Sequence, residues 1–252
     1  MNPFGNFYSQ YYDLLYSNKD YAGEVEYINS LINMYTDNAH TILDIGCGTG
    51  KHAEIFTEKG YEVLGVDISS DMLTVAEKRR IGKEQRLTFC QSDIAHLNLN
   101  KKFDVITALF HVMSYQKDNH TLLLSFKNVT EHLKEGGIFI FDFWYGPAVL
   151  TDPPTVRIKR LENESSQFIR IAEPIMHFHE NAVEVNYTIL IIDKETGRLY
   201  ETKEIHNMRY FFDPELELIC YNYGLKIMGK FKWLTTNKPG HKDWYVVWIV
   251  RK

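Results

Sequence analysis

The segment Asp44-Ile45-Gly46-Cys47-Gly48-Thr49-Gly50 sets three glycines at alternate positions behind an acid. Glycines so spaced let a backbone turn sharply and approach a ligand with no Cβ in the way. Where a strand precedes such a loop and a helix follows it, the helix N-terminus also presents unpaired N–H groups to the ligand. A second acid, Asp67, closes the next β-branched run 21 residues after Gly46, where a carboxylate can accept both hydroxyls of a ribose. The two features describe a nucleoside site and leave two nucleoside classes open. A dinucleotide loop of the form G-x-G-x-x-G needs its third glycine at residue 51, which is Lys51. Asp44 stands two residues before Gly46, where it could orient a cationic amino-acid moiety.

The surrounding pattern supplies the elements. From residue 41 onward, short β-branched runs alternate with longer amphipathic ones, the rhythm of a parallel sheet with helices on both faces. Strands are predicted over 41–45, 61–67, 87–91, 103–109 and 138–143, the last a continuous apolar run suited to burial on both faces. Helices are predicted over 51–59, ended by Gly60, and over 70–80, capped by Ser70-Asp71. A third spans 119–134, with Leu122, Leu123, Phe126, Val129 and Leu133 on one face and Gly136-Gly137 as its stop. After Pro147 the period changes to two, as in Val183, Val185, Tyr187, Ile189 and Ile191, with turn signals at His179-Glu180-Asn181 and 193–197. This predicts an antiparallel sheet over about 156–209, placed as a lid on the carboxyl edge where open α/β sheets bind ligands. A helix opening at Asp213-Pro214-Glu215 runs to Gly224, and strands over 225–233 and 244–250 finish the chain.

Composition narrows the function classes. The chain has 252 residues, 44% of them hydrophobic, enough for one large α/β domain with an insertion. Its formal charge of −5 sets the whole-molecule field against a polyanion, so no nucleic-acid partner is expected. Cys47, Cys90 and Cys220 form no CxxC and leave an odd thiol over, which fits a reducing compartment, and cytoplasm is expected. Met1-Asn2-Pro3-Phe4-Gly5-Asn6 has no positive n-region, and no run approaches the roughly 20 apolar residues of a membrane span, so no leader and no membrane partner are expected. His177 and His179 share one face of a predicted strand, yet no third ligand has matching spacing and no metal is assigned. Cys47 has no histidine placed to activate it, and Lys78-Arg79-Arg80 reads as the solvated cationic end of a helix.

The pattern Asp-x-Gly-x-Gly-x-Gly at residues 44–50 resembles motif I of the class I S-adenosylmethionine-dependent methyltransferases. Ser92-Asp93-Ile94 resembles the motif that contacts adenine in that family, and Leu109-Phe110-His111 the motif flanking the transferred methyl. The final two strands fit the family's antiparallel seventh strand. A narrower resemblance, to the N,N-dimethyltransferases of nucleotide-linked (dTDP) amino sugars, rests on Tyr12-Asp13-Leu14-Leu15-Tyr16, Lys19-Asp20-Tyr21, Glu24, Asp71-Met72-Leu73 and residues 110–115. It rests also on Asp142-Phe143-Trp144-Tyr145-Gly146-Pro147, and on His206 ahead of the last helix.

The resemblance implies a Rossmann-like, seven-stranded class I methyltransferase sheet with an inserted antiparallel β-sheet lid. The core would take residues 1–147 and 210–252 with an N-terminal helical cap, and residues 148–209 would form a substrate-binding subdomain. S-adenosyl-L-methionine is the implied cofactor, with S-adenosyl-L-homocysteine its product. Its implied contacts are Tyr16, Lys19, Asp44, Gly46, Cys47, Gly48, Gly50, Asp67, Ile68, Met72, Asp93, Ile94 and Leu109, with Lys19 meeting the carboxylate. Tyr115 and His111 are the catalytic candidates near the methyl. Tyr16, Asp142, Trp144, Tyr145, His206 and Arg209 are the candidates for the acceptor, His206 and Arg209 for a pyrophosphate because an Arg fork suits phosphate oxygens. The implied reaction is N-methylation of a small-molecule amine, foremost the amino group of a nucleotide-linked deoxy amino sugar. Methylation of an oxygen or nitrogen of another small metabolite is the alternative. The composition fits a monomer or a homodimer equally.

Overall fold

The computed structural model describes Tyr12 and residues 15–252. The leader reading of the first six residues, and Asp13 and Leu14 of the amino-terminal motif, lie outside the described residues. Helix α1 (Tyr21–Tyr35) opens on Asp20, whose Oδ1 accepts the Gly23 N–H at 2.8 Å. Its apolar positions Val25, Ile28, Leu31 and Ile32 fall on one face and bury against one side of the sheet. There follow β1 (Thr41–Ile45), α2 (Lys51–Glu58), β2 (Glu62–Asp67), α3 (Ser70–Glu77), β3 (Leu87–Gln91), β4 (Phe103–Ala108), α4 (Asn119–His132) and β5 (Leu133–Tyr145). These five strands are parallel in the order β3-β2-β1-β4-β5. The order reverses between β1 and β4, the switch point at which open α/β sheets hold ligands.

The short helix α5 (Gly146–Thr151) leads into four strands, β6 (Arg157–Glu162), β7 (Ser166–His177), β8 (Ala182–Asp193) and β9 (Leu199–Phe211), each antiparallel to the next. Helix α6 (Asp213–Asn222), β10 (Lys226–Lys232) and β11 (Tyr245–Arg251) complete the chain. Strand β11 runs antiparallel between β5 and β10, so among the described residues the core sheet has seven strands. The antiparallel sheet joins it through Trp144 and Tyr145 at the carboxyl end of β5, paired with Tyr210 and Phe211 of β9. The core lies on both faces of β5: Phe139, Phe141 and Phe143 pack with Trp248 on one side, Ile138 and Ile140 with α1 on the other.

Several features differ from the sequence reading. The helix predicted to reach residue 134 ends at His132, because Leu133 pairs with Phe103 and starts β5, and Gly136, at φ 75°, carries the bend placed there as a stop. The helix predicted over 70–80 is α-helical to Glu77 and closes in a tighter turn, Lys78–Arg80. His177 ends β7 while His179 sits in the turn Phe178–Glu180, so the two share no strand face. Among the described residues no cluster could hold a metal, and no helix is long and apolar enough to cross a membrane.

Candidate active site

The glycine loop leaves β1 in left-handed conformations, with φ of 66° at Gly46, 55° at Gly48 and 78° at Gly50. At Gly46 a Cβ would lie 2.4 Å from Val112 Cγ2, and at Gly50 it would lie 2.8 Å from Phe89 Cζ. At Gly48 it would meet nothing within 4 Å, and this is where the loop borders a cleft of about 820 Å³. Arg79 Nε donates to the Thr49 carbonyl at 2.7 Å and ties the loop to the end of α3. Asp67 braces it from β2, Oδ2 accepting the Gly48 N–H and Oδ1 the Ser69 N–H, each at 2.8 Å. Each oxygen retains acceptor capacity. Burial raises the Asp67 carboxyl, against the pull of these N–H donors.

Beneath the loop, Asp44 accepts a hydrogen bond from Thr107 Oγ1 at 2.8 Å through Oδ1, while its buried Oδ2 has no partner among the described residues. Burial pushes the Asp44 carboxyl up to about 6, opposed by the nearby His52 and the Thr107 bond. His52 is held by Glu24 of α1, Nε2 to Oε2 at 2.7 Å. Burial also raises the Cys47 thiol well above its ordinary value, which keeps it from acting as a nucleophile.

The cofactor candidates divide between wall and support. Tyr16, Gly46, Cys47, Gly48, Asp67 and Ile68 border the cleft, as do Met72, Asp93, Ile94 and Leu109. Asp44, Gly50 and Lys19 stand behind this wall. Lys19, expected to meet a ligand carboxylate, is instead ion-paired with Glu24 and lies 4.1 Å over the Phe110 ring.

At the other end of the cleft stand His111, Tyr115, Trp144 and His206. Phe110 and His111 are both left-handed at the end of β4, with φ of 67° and 66°, the strained backbone that rigid surroundings hold at sites. Asp142, buried behind His111, accepts its N–H at 3.2 Å and lies 2.6 Å from its Nδ1, while Tyr245 stacks on the ring at a centroid distance of 4.5 Å. Asp142 is thus a support for His111 and not itself part of the wall. The Trp144 N–H donates to Ser114 Oγ at 3.1 Å, and its indole Nε1–H is buried with no acceptor among the described residues.

Two acceptor candidates turn away. Tyr145 follows Trp144 on a strand of period two, so its side chain joins the opposite core face. Arg209 lies three residues from His206, hence on the other face of β9. There it donates to Asn119 Oδ1 at 2.9 Å, sits 3.7 Å from Glu215 and covers Phe211.

Several contacts emerge only in three dimensions. Tyr115 Oη stands 2.7 Å from His206 Nδ1, and His206 Nε2 stands 3.1 Å from Glu204 Oε2. Tyr187 meets the His206 ring edge-on at 4.9 Å, and the Arg170 guanidinium lies 5.0 Å over Tyr187 and bonds Tyr16 Oη at 3.2 Å. Arg157, Arg170 and Tyr245 border the cleft with them. The period-two alternation carried part of this signal, since Val185, Tyr187 and Ile189 share one face; the neighbours across strands required the register.

Residues 42–137 match the family model described as a methyltransferase domain. Over 218 residues the chain is 28% identical to the dTDP-3-amino-3,4,6-trideoxy-alpha-D-glucopyranose N,N-dimethyltransferase of Streptomyces venezuelae, a match covering 86% of this chain and 89% of that one. The fold superposes on the crystal structure of a S-adenosylmethionine-dependent methyltransferase from Clostridium acetobutylicum with a TM-score of 0.82, at 24% identity and 99% coverage of both chains. Superposition on Streptomyces venezuelae DesVI gives 0.78, at 25% identity, over 94% of this chain and 95% of that one.

Residues 42–137 match a methyltransferase domain, and the fold, the glycine loop and the matches together are those expected of a class I S-adenosylmethionine-dependent methyltransferase. Within that class it resembles the N,N-dimethyltransferases of dTDP-linked amino sugars. The donor set fits the cofactor: an unpartnered buried carboxylate oxygen at Asp44, a second carboxylate with spare lone pairs at Asp67, and open space at Gly48.

Proposed function

We propose that the enzyme methylates the amino group of a nucleotide-linked deoxy amino sugar. The carrying observation is the shape of the cleft, which continues past the glycine loop onto the inner face of the β6–β9 sheet and takes in Trp144, Tyr187, His206, Arg157 and Arg170. An aromatic shelf beside two guanidinium groups suits a base and a pyrophosphate, and the unspent Trp144 Nε1–H is a donor for the acceptor. Arg157 and Arg170 take the pyrophosphate role that Arg209 cannot reach. In this reading residues 1–147 and 210–252 form the cofactor core and residues 148–209 the substrate subdomain.

Asp67 would take the ribose hydroxyls of S-adenosylmethionine, Asp93 and Ile94 its adenine, and Ile68 and Met72 its apolar edges, while Asp44, from behind the wall, would favour its amino-acid ammonium through its charge. When bound, the cofactor supplies a methyl already activated by its sulfonium. The protein's own task is to hold a neutral nitrogen lone pair in line with it and exclude water, and such orientation contributes roughly 7–11 kcal/mol in well-positioned systems. Tyr16 closes the cleft from the amino-terminal segment, packed on Phe110 at 5.0 Å, while His111 and Tyr115 stand beside the acceptor.

Incubation with S-adenosylmethionine and dTDP-3-amino-3,4,6-trideoxyglucose, followed by mass spectrometry, tests the reading. Methylated sugar nucleotide is expected. Methylation of simple amines with none of the sugar nucleotide would refute it.

A further inference from the structure

The core side of the cleft and the inserted sheet meet at a buried chain of three side chains. Tyr115 ends the turn Val112–Tyr115 just beyond β4, and its hydroxyl lies 2.7 Å from His206 Nδ1. His206 and Glu204 sit two residues apart on β9, on the face turned to the cleft, 3% and 4% exposed, with Nε2 and Oε2 3.1 Å apart. A carboxylate at Nε2 requires that nitrogen to carry the proton, which leaves Nδ1 as acceptor of the Tyr115 O–H. Tyr115 and His206 border the cleft; Glu204 does not. The chain therefore has one end facing the acceptor and the other closed, with its charge held inside the sheet.

We propose that Tyr115 and His206 form a proton-accepting relay for the acceptor amine, with Glu204 as the positioning residue that fixes the imidazole tautomer and stabilises its cation. The proposal rests on the amine-methylation reading. An amino sugar arrives largely as an ammonium, which has no lone pair to methylate, and a once-methylated product must lose a proton again before a second transfer. In the relay the acceptor N–H bond breaks, its electron pair stays on nitrogen, and its proton passes to Tyr115 Oη as the hydroxyl proton moves to His206 Nδ1. His206 becomes an imidazolium with Nε2–H facing Glu204, and the proton leaves to solvent when product departs. Burial holds the Tyr115 hydroxyl well above its ordinary range, so the residue passes a proton without persisting as tyrosinate. Among the described residues, the titratable and charged groups around the chain include Tyr12 and Tyr16 from the amino-terminal segment, Asp67 on β2, Arg170 on β7, Tyr187 on β8 and Tyr245 on β11.

The test is kcat and KM against pH for wild type, Tyr115→Phe, His206→Asn and Glu204→Gln, using dTDP-3-amino-3,4,6-trideoxyglucose as acceptor. His206→Asn keeps an acceptor for the Tyr115 hydroxyl yet cannot carry a proton, and Glu204→Gln keeps the bond to Nε2 without the charge. For Tyr115→Phe and His206→Asn, kcat is expected to fall about 100-fold near neutrality. The loss should shrink as the pH rises past the acceptor's own ammonium pKa, with S-adenosylhomocysteine affinity and melting temperature close to wild type. Glu204→Gln should show the same pH-dependent pattern at about tenfold. A loss of equal size at every pH, or one confined to KM, would overturn the relay while leaving the substrate reading intact. Wild type inert toward the sugar nucleotide would overturn both. Should one variant fail to fold, the pH dependence in the remaining two decides between the same outcomes.

Discussion

Asp44 and Asp67 are both buried and both raised by burial, yet the structure partners them differently. Asp67 is anchored by two backbone N–H groups at 2.8 Å, and in the proposed function its remaining lone pairs would take the ribose hydroxyls. Hydrogen bonds to charged groups contribute about 1.5–3 kcal/mol each. Asp67→Ala should therefore weaken S-adenosylhomocysteine binding by at least tenfold in a calorimetric titration; unchanged affinity would remove Asp67 from the ribose site. Asp44 has one unpaired oxygen and a carboxyl raised from 3.8 to about 6. A raised carboxyl binds its proton more tightly folded than unfolded, so the stability it contributes is present below about pH 4 and is lost as the pH rises through about 6. A cationic ligand group selects the ionised form. Cofactor affinity should accordingly tighten as the pH rises from about 5 to about 7, and Asp44→Asn should flatten that dependence. An affinity independent of pH in wild type would contradict the role given to Asp44.

The strand–loop–helix unit of β1 and α2 was legible in the sequence because its glycines have a backbone reason to be there. Gly46 combines φ of 66° with a Cβ position 2.4 Å from Val112 Cγ2. Gly46→Ala should lower stability by about 1–3 kcal/mol and weaken cofactor binding, read by thermal melting and titration; a variant with wild-type melting and affinity would refute the strain. Strand periodicity likewise announced the β6–β9 sheet, and the turn at His179-Glu180-Asn181 fell where it was expected. What escaped was parity and register. Trp144-Tyr145 reads as one aromatic unit, although consecutive strand residues face opposite ways. His206 and Arg209 read as one pyrophosphate pair, yet three apart on a strand they lie on opposite faces. Nothing in one strand's pattern reveals that His206 reaches Tyr115, 91 positions away, because that contact depends on how β9 docks beside β5.

At the scale of the molecule, the cleft is lined by both the parallel sheet and the antiparallel sheet; in the proposed function the first would hold the cofactor and the second the acceptor. A small cluster joins the parts: Leu15 from the amino-terminal segment, Met72 from α3, and Phe168, Ile189 and Ile191 from the inserted sheet. Tyr16 packs against this cluster and borders the cleft. If the proposed substrate is right, the two ends are separate sites for two nucleotides, one in each part of a single cleft. Calorimetric titration of the protein with S-adenosylhomocysteine, repeated with dTDP added to the complex, tests this most directly. Micromolar binding of both ligands at once, each at one site, is the predicted result. Cofactor binding with no heat from dTDP, or with dTDP displacing the cofactor, would contradict the account of the acceptor end.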